Sequence, residues 1–141
     1  MRNDYAFLGN FKLNQKQSLS VYASQNSSNE GVSGQISYAD YYAGIDPGNI
    51  AYIRKNAGNK FLTTRASISH NYQILPNLSN MTSIFYSNLD ANRVAAGALE
   101  NSTNPNYGFR STFHLKNDIN EDFQNGVEFG TEYMVSRSLL S

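Results

Sequence analysis

The sequence contains no cysteine and no tryptophan, only two histidines and three prolines, and no excess of charge of either sign. The missing cysteines exclude disulfides, thiolate nucleophiles and cysteine-ligated metals, while the compartment stays open because an oxidising envelope does not oblige a chain to carry disulfides. Eleven Lys and Arg balance eleven Asp and Glu without forming a basic stripe, which argues against nucleic acid and against an anionic membrane patch as partners. No run approaches the ~20 consecutive apolar residues of a membrane helix, and residues 1–5 open without the apolar stretch of a secretory signal. A β-barrel survives both absences, since each of its strands crosses with only about ten alternating residues.

Catalytic motifs are scarce as well. His70 and His114 lie far apart, each without a second histidine or a compact carboxylate motif, so structural or solvent-facing roles are expected and no metal centre is assigned. Asp40 and Asp46 lack the oxygen-ligand spacing of an EF-hand loop. Neither a nucleophile elbow nor a phosphate-binding glycine loop is present. Glu128 and Glu132 share one strand parity, but four residues put them roughly 13 Å apart, beyond direct proton exchange. No catalytic residue is assigned, and the chain is not expected to be an enzyme.

What the sequence does hold is two-residue alternation over most of 141 residues, 40% of them hydrophobic. In 106–116 the positions Tyr107, Phe109, Ser111, Phe113 and Leu115 form a mostly apolar face, against Gly108, Arg110, Thr112, His114 and Lys116. In 123–135, Phe123, Val127, Phe129, Tyr133 and Val135 share one parity with Asn125 and Thr131, against Gln124, Gly126, Glu128, Gly130, Glu132 and Met134. Such patterns call for long antiparallel strands whose two faces meet different surroundings. Tyr5–Leu13 and 17–24 read as a hairpin around Asn14-Gln15-Lys16. The polar stretch 25–31 reads as a loop or as a bulged part of one long strand. A third apolar alternation runs through Val32, Ile36 and Tyr38.

From 39 to 59 the alternation fails, and Asp46-Pro47-Gly48-Asn49 and Asn56-Ala57-Gly58-Asn59 supply turn chemistry inside a long connector. Strand character returns at 60–74 and, after the turn at 75–78, at 79–89. A second connector, 90–105, includes a helix-compatible run at 93–100. A turn at 117–122 then separates the last two strands. The expected order is six long segments, or seven if 25–31 is a true loop, with short and long joins alternating in part. A soluble or secreted β-sandwich and an outer-membrane barrel both fit these features.

The stretches Tyr38-Ala39-Asp40-Tyr41-Tyr42-Ala43-Gly44, Ala66-Ser67-Ile68-Ser69-His70-Asn71-Tyr72 and Tyr107-Gly108-Phe109-Arg110, with Pro47, Asn49 and Tyr52 in the connector, resemble the β-barrel portion of TonB-dependent outer-membrane receptors, especially the iron-complex branch of Gram-negative bacteria. The resemblance implies an all-β fold, an antiparallel meander forming part of a large transmembrane β-barrel. Residues 1–141 would be an internal fragment of about six strands out of a wall of about 22, with the plug domain and remaining strands absent. It further implies TonB-energised uptake of an extracellular small-molecule ligand such as an iron chelate. Outer-membrane lipid, the plug domain and the TonB complex would be the partners, and the cell outer membrane the location.

Under that resemblance, Tyr41, Tyr42, Tyr52, Arg54, Lys55 and Arg93 sit in ligand-facing loops, their rings, hydroxyls and cations suited to an anionic or aromatic ligand. Arg110, His114, Lys116, Glu128 and Glu132 would face the lumen or plug, with Arg110 and Lys116 as partners for the two glutamates. The competing reading is a soluble or secreted β-sandwich or adhesin-like binding module whose connectors meet a glycan or a protein. A porin-like passive channel fragment is a third.

Overall fold

The computed structural model describes residues 1–45, 48–120 and 123–140, with side chains of 117–120 and 123–124 outside the description. The turn residues Asp46, Pro47, Glu121 and Asp122, Asp46 as a cation ligand, and the faces assigned to Phe123 and Gln124 therefore lie outside the described residues.

Among the described residues, seven strands form one antiparallel sheet: β1 (Arg2–Lys12), β2 (Gln17–Gly31), β3 (Gly58–Leu75), β4 (Leu78–Val94), β5 (Leu99–Asn120), β6 (Phe123–Ser136) and β7 (Leu139–Leu140). The first six lie side by side in chain order, and β7 pairs with β5 beyond the end of β6. Two five-residue helices, α1 (Tyr38–Tyr42) and α2 (Ile50–Arg54), interrupt the connector between β2 and β3.

Local chemistry explains the joins. In the first hairpin Asn14 Oδ1 accepts from the Lys16 backbone N–H at 2.8 Å, and Leu13 N–H donates to Gln17 O at 3.0 Å. At the β3–β4 turn, Gln73 Nε2 donates to Leu75 O at 2.5 Å and reaches Pro76 O and Leu78 O at 3.3 Å. Gly34 has φ +73°, which ends the extended run before α1. Ser37 Oγ then caps α1 by accepting from Asp40 N–H at 3.1 Å, and Asn49 Oδ1 caps α2 by accepting from Ala51 N–H at 3.0 Å.

Directly opposed residues of antiparallel strands share a face, so the register sorts the side chains into rows. One row runs Phe7, Ala23, Ala66, Tyr86, Tyr107, Val135, and the next runs Gly9, Val21, Ile68, Ile84, Phe109, Tyr133. These make a broad apolar band on one face. The opposite face carries rows such as Asn10, Ser20, Ser69, Ser83, Arg110, Glu132, small and polar. The sheet is a single layer: among the described residues only Ala57, Ala91 and Thr112 are buried. Its accessible surface is 10603 Å², against about 7,300 Å² for a globular chain of this mass.

Several sequence expectations are corrected here. The expected transmembrane barrel is replaced by an open sheet, because closure requires β1 to bond β6, whereas β1 pairs with β2 alone and β6 with β5 alone among the described residues. The stretch 25–31 is the end of β2, paired residue by residue with 58–64, which settles the six long strands. Residues 32–37 are not a strand. The expected connector 90–105 is mostly sheet: β4 runs on to Val94, Ala95 N–H bonds Ala98 O at 2.9 Å, and β5 starts at Leu99 in place of a helix. Strand β5 likewise continues through 117–120 where a turn was expected.

Candidate ligand-binding end of the sheet

The hairpins 13–16 and 76–77 lie at one end of the sheet, and the β2–β3 connector, the 95–98 turn, Met1 and β7 lie at the other. The connector leaves at Gly31 and returns at Gly58, which are paired, and Val32 N–H bonds Ala57 O at 2.9 Å to close its neck. Asn49 ties the two arms together, its N–H bonding Ser33 O at 2.7 Å and its Nδ2 donating to Gln35 O at 3.4 Å.

On α1 the rings of Tyr38 and Tyr42 lie 5.0 Å apart and tilted, and those of Tyr41 and Tyr42 lie 5.6 Å apart edge to face. The three are 77%, 68% and 73% exposed, an arrangement that holds aromatic surface ready in water rather than burying it. Tyr42 donates a long hydrogen bond to the Tyr38 hydroxyl at 3.5 Å, and this bond, with a smaller part from burial, raises the Tyr42 hydroxyl above its ordinary titration range. Arg54 and Lys55, at the last residue and C-cap of α2, are exposed.

Two of the residues nominated from sequence make contacts within the fold. Tyr52 is half-buried, its ring packed so closely on Gly34 that a Cβ there would lie 2.7 Å from it. Arg93 stands in β4, over the Phe61 ring at 5.7 Å and paired with Glu100 at 3.3 Å.

Next to the connector's neck lies a cleft of about 590 Å³, lined by Asn3, Asn29, Lys60, Phe61, Asp90, Asn92, Asn101 and Thr103 among others. Asn29 and Lys60 are cross-strand partners two residues below the neck. Asp90 is fixed by Thr103 Oγ1 at 2.8 Å and by Asn88 Nδ2 at 2.9 Å, and Asn92 Nδ2 donates to Asn101 Oδ1. Amides, a carboxylate, an amine and a hydroxyl thus share one face of the sheet, offering donors and acceptors side by side. Sequence reasoning missed these residues. They belong to five strands, and only the register brings them together.

The five lumen-facing candidates, Arg110, His114, Lys116, Glu128 and Glu132, lie far from this end, on the small-residue face. Arg110 and Glu132 are directly opposed and joined at 2.5 Å, and His114 Nδ1 lies 3.4 Å from Glu128. Lys116 faces Gly126, so the partner of Glu128 is His114 and not Lys116.

No protein-family model matches the chain, and no curated protein matches it. With the sheet open and no family model matching, the resemblance to TonB-dependent receptors is withdrawn, and what rested on it goes too: the outer-membrane location, the lipid, plug-domain and TonB partners, and the uptake of a small-molecule ligand. The iron chelate is withdrawn on its own ground as well, since no group of three or more His, Asp or Glu side chains converges among the described residues.

Proposed function

We propose that this chain is a non-enzymatic, adhesin-like β-sheet binding module that takes a glycan at the connector end of its sheet. The observation that carries the reading is the exposed cluster of Tyr38, Tyr41 and Tyr42 on the connector, at the same end of the sheet as a cleft walled by asparagines. Tyrosine rings stack on the C–H faces of sugars at small conformational cost. Amides pair their donor and acceptor with adjacent hydroxyls, and convergent polar groups in a shaped cleft are what fix such a ligand's orientation. Arg54 and Lys55 extend the surface toward glycans bearing carboxylates.

The test is a glycan array probed with the purified chain, followed by titration calorimetry on the strongest oligosaccharide. Two stacking rings at about 0.5–1.5 kcal/mol each make Tyr41→Ala/Tyr42→Ala about fivefold to 150-fold weaker. An array without signal, or a hit that the double variant binds as well as the parent, refutes the reading.

A further inference from the structure

We propose that β1 and β6 are complementary edges through which copies of this chain join head to tail, the β1 of one copy adding as the next antiparallel strand beside the β6 of another. Both strands are long, of 11 and 14 residues, and each has hydrogen-bond partners on one side only among the described residues. A long, flat edge with unpaired N–H and C=O groups is a template for another strand. In the meander β1 and β6 run in opposite directions, so a β1 placed beyond β6 continues the antiparallel order without reversal.

Extending the rows of the sheet fixes the register. Phe7 of one copy then lies opposite Val135 of the next, Leu8 opposite Met134, and Lys12 opposite Gly130, as the shared rows of β1 through β6 dictate. Exposed Phe7 and Phe11 join the face of Phe129 and Tyr133, while Leu8 and Met134 meet on the other, where a one-residue slip would invert every side chain. Charge agrees with this pairing and opposes its symmetric rival. Lys12 meets a glycine with Glu128 and Glu132 two residues to either side, within diagonal reach of a long side chain. A β6 edge paired with another β6 would instead set those carboxylates against each other. Contacts of this head-to-tail kind close into rings or run on as filaments.

The absence of native cysteine makes the contact directly testable. Phe7→Cys and Val135→Cys variants, prepared separately and mixed, are treated with a short bis-maleimide, while sedimentation velocity follows the unmodified chain over a range of concentrations. The expected result is concentration-dependent association, a cross-link formed in the mixture and not by either variant alone, and association about tenfold weaker for Lys12→Glu, from two lost diagonal pairs. Circular dichroism of Lys12→Glu must keep the parent β-sheet signal for its result to count, and the cross-link of the mixed cysteine variants decides the matter independently. A chain that stays monomeric, cross-links only like with like, or associates equally well as Lys12→Glu overturns the proposal.

Discussion

Gly108 lies in β5 where the sheet leaves no room for a side chain, and replacing it with alanine should unlock the β5–β6 ladder. A Cβ there would strike the Tyr133 carbonyl oxygen, lie 2.8 Å from Phe85 Cζ and 3.1 Å from Met134 Cα. Phe85 is the direct cross-strand partner of Gly108, and its ring covers the glycine as aromatics do when they shield a glycine across a strand pair. The ring can rotate away, but Tyr133 O and Met134 Cα are backbone and cannot. Overpacking of this kind costs about 1–3 kcal/mol, and loss of a ladder hydrogen bond adds about 0.5–1.5 kcal/mol. Together these amount to about 2–4 kcal/mol, concentrated between β5 and β6. Hydrogen exchange resolved to peptides measures it: amides of 106–112 and 130–136 should exchange tens to hundreds of times faster in Gly108→Ala, while those of β1 and β2 keep the parent rate. Gly126→Ala is the control, since its Cβ would meet only Leu115 O at an ordinary 3.6 Å. Adding Phe85→Ala to Gly108→Ala should recover only the part of the loss due to the ring. Equal exchange in Gly108→Ala and Gly126→Ala would refute the reasoning, as would full recovery in the double variant.

Three further outcomes are expected. Asn49→Ala removes the α2 cap and the link to Gln35, costing about 1 kcal/mol locally, so exchange at 50–55 should rise severalfold with β3 and β4 unaffected. Tyr38→Phe deletes the acceptor that raises the Tyr42 hydroxyl, so ultraviolet titration should show one tyrosine ionising at lower pH than in the parent, and an unchanged curve would contradict the hydrogen bond. The Arg110–Glu132 pair is exposed, so Arg110→Met should change stability to urea by less than about 1 kcal/mol, with the difference shrinking further in 1 M salt.

Much of the strand layout is legible in the residues, and the places where the reading fails share a cause. Gln25–Gly31 reads as a loop or as a bulged part of one long strand because it is so polar, and the pairing decides for the strand, matching it with Gly58–Thr64 to the last residue. Pairing with a neighbour outweighs propensity there. Pro105 argues against a strand in the same way, since proline has no N–H for a ladder. In the structure its carbonyl accepts from Arg137 N–H at 3.1 Å, at the gap between β6 and β7. The missing N–H therefore points to a stretch of that edge where the ladder is already interrupted. Tyr41 and Tyr42 are visible from sequence as aromatics in an irregular connector, whereas Asn29, Lys60, Asn92 and Asn101 become neighbours only after the register is known.

The largest divergence concerns closure, and its reason is physical. Alternation reports that a strand has two unlike faces, and the rows through Phe7 and Gly9 show that this holds across all six long strands. It carries no information about the in-plane edges, where backbone groups and not side-chain faces decide what binds. Edges must be read from different residues, those whose charges meet a neighbour in the plane of the sheet. In β1 and β6 these are Lys12 on one side and Glu128 with Glu132 on the other, opposite in sign and, in the proposed register, diagonal neighbours. Face periodicity and edge charge are therefore separate signals: in the proposed extension the first sets the register and the second selects which edge meets which.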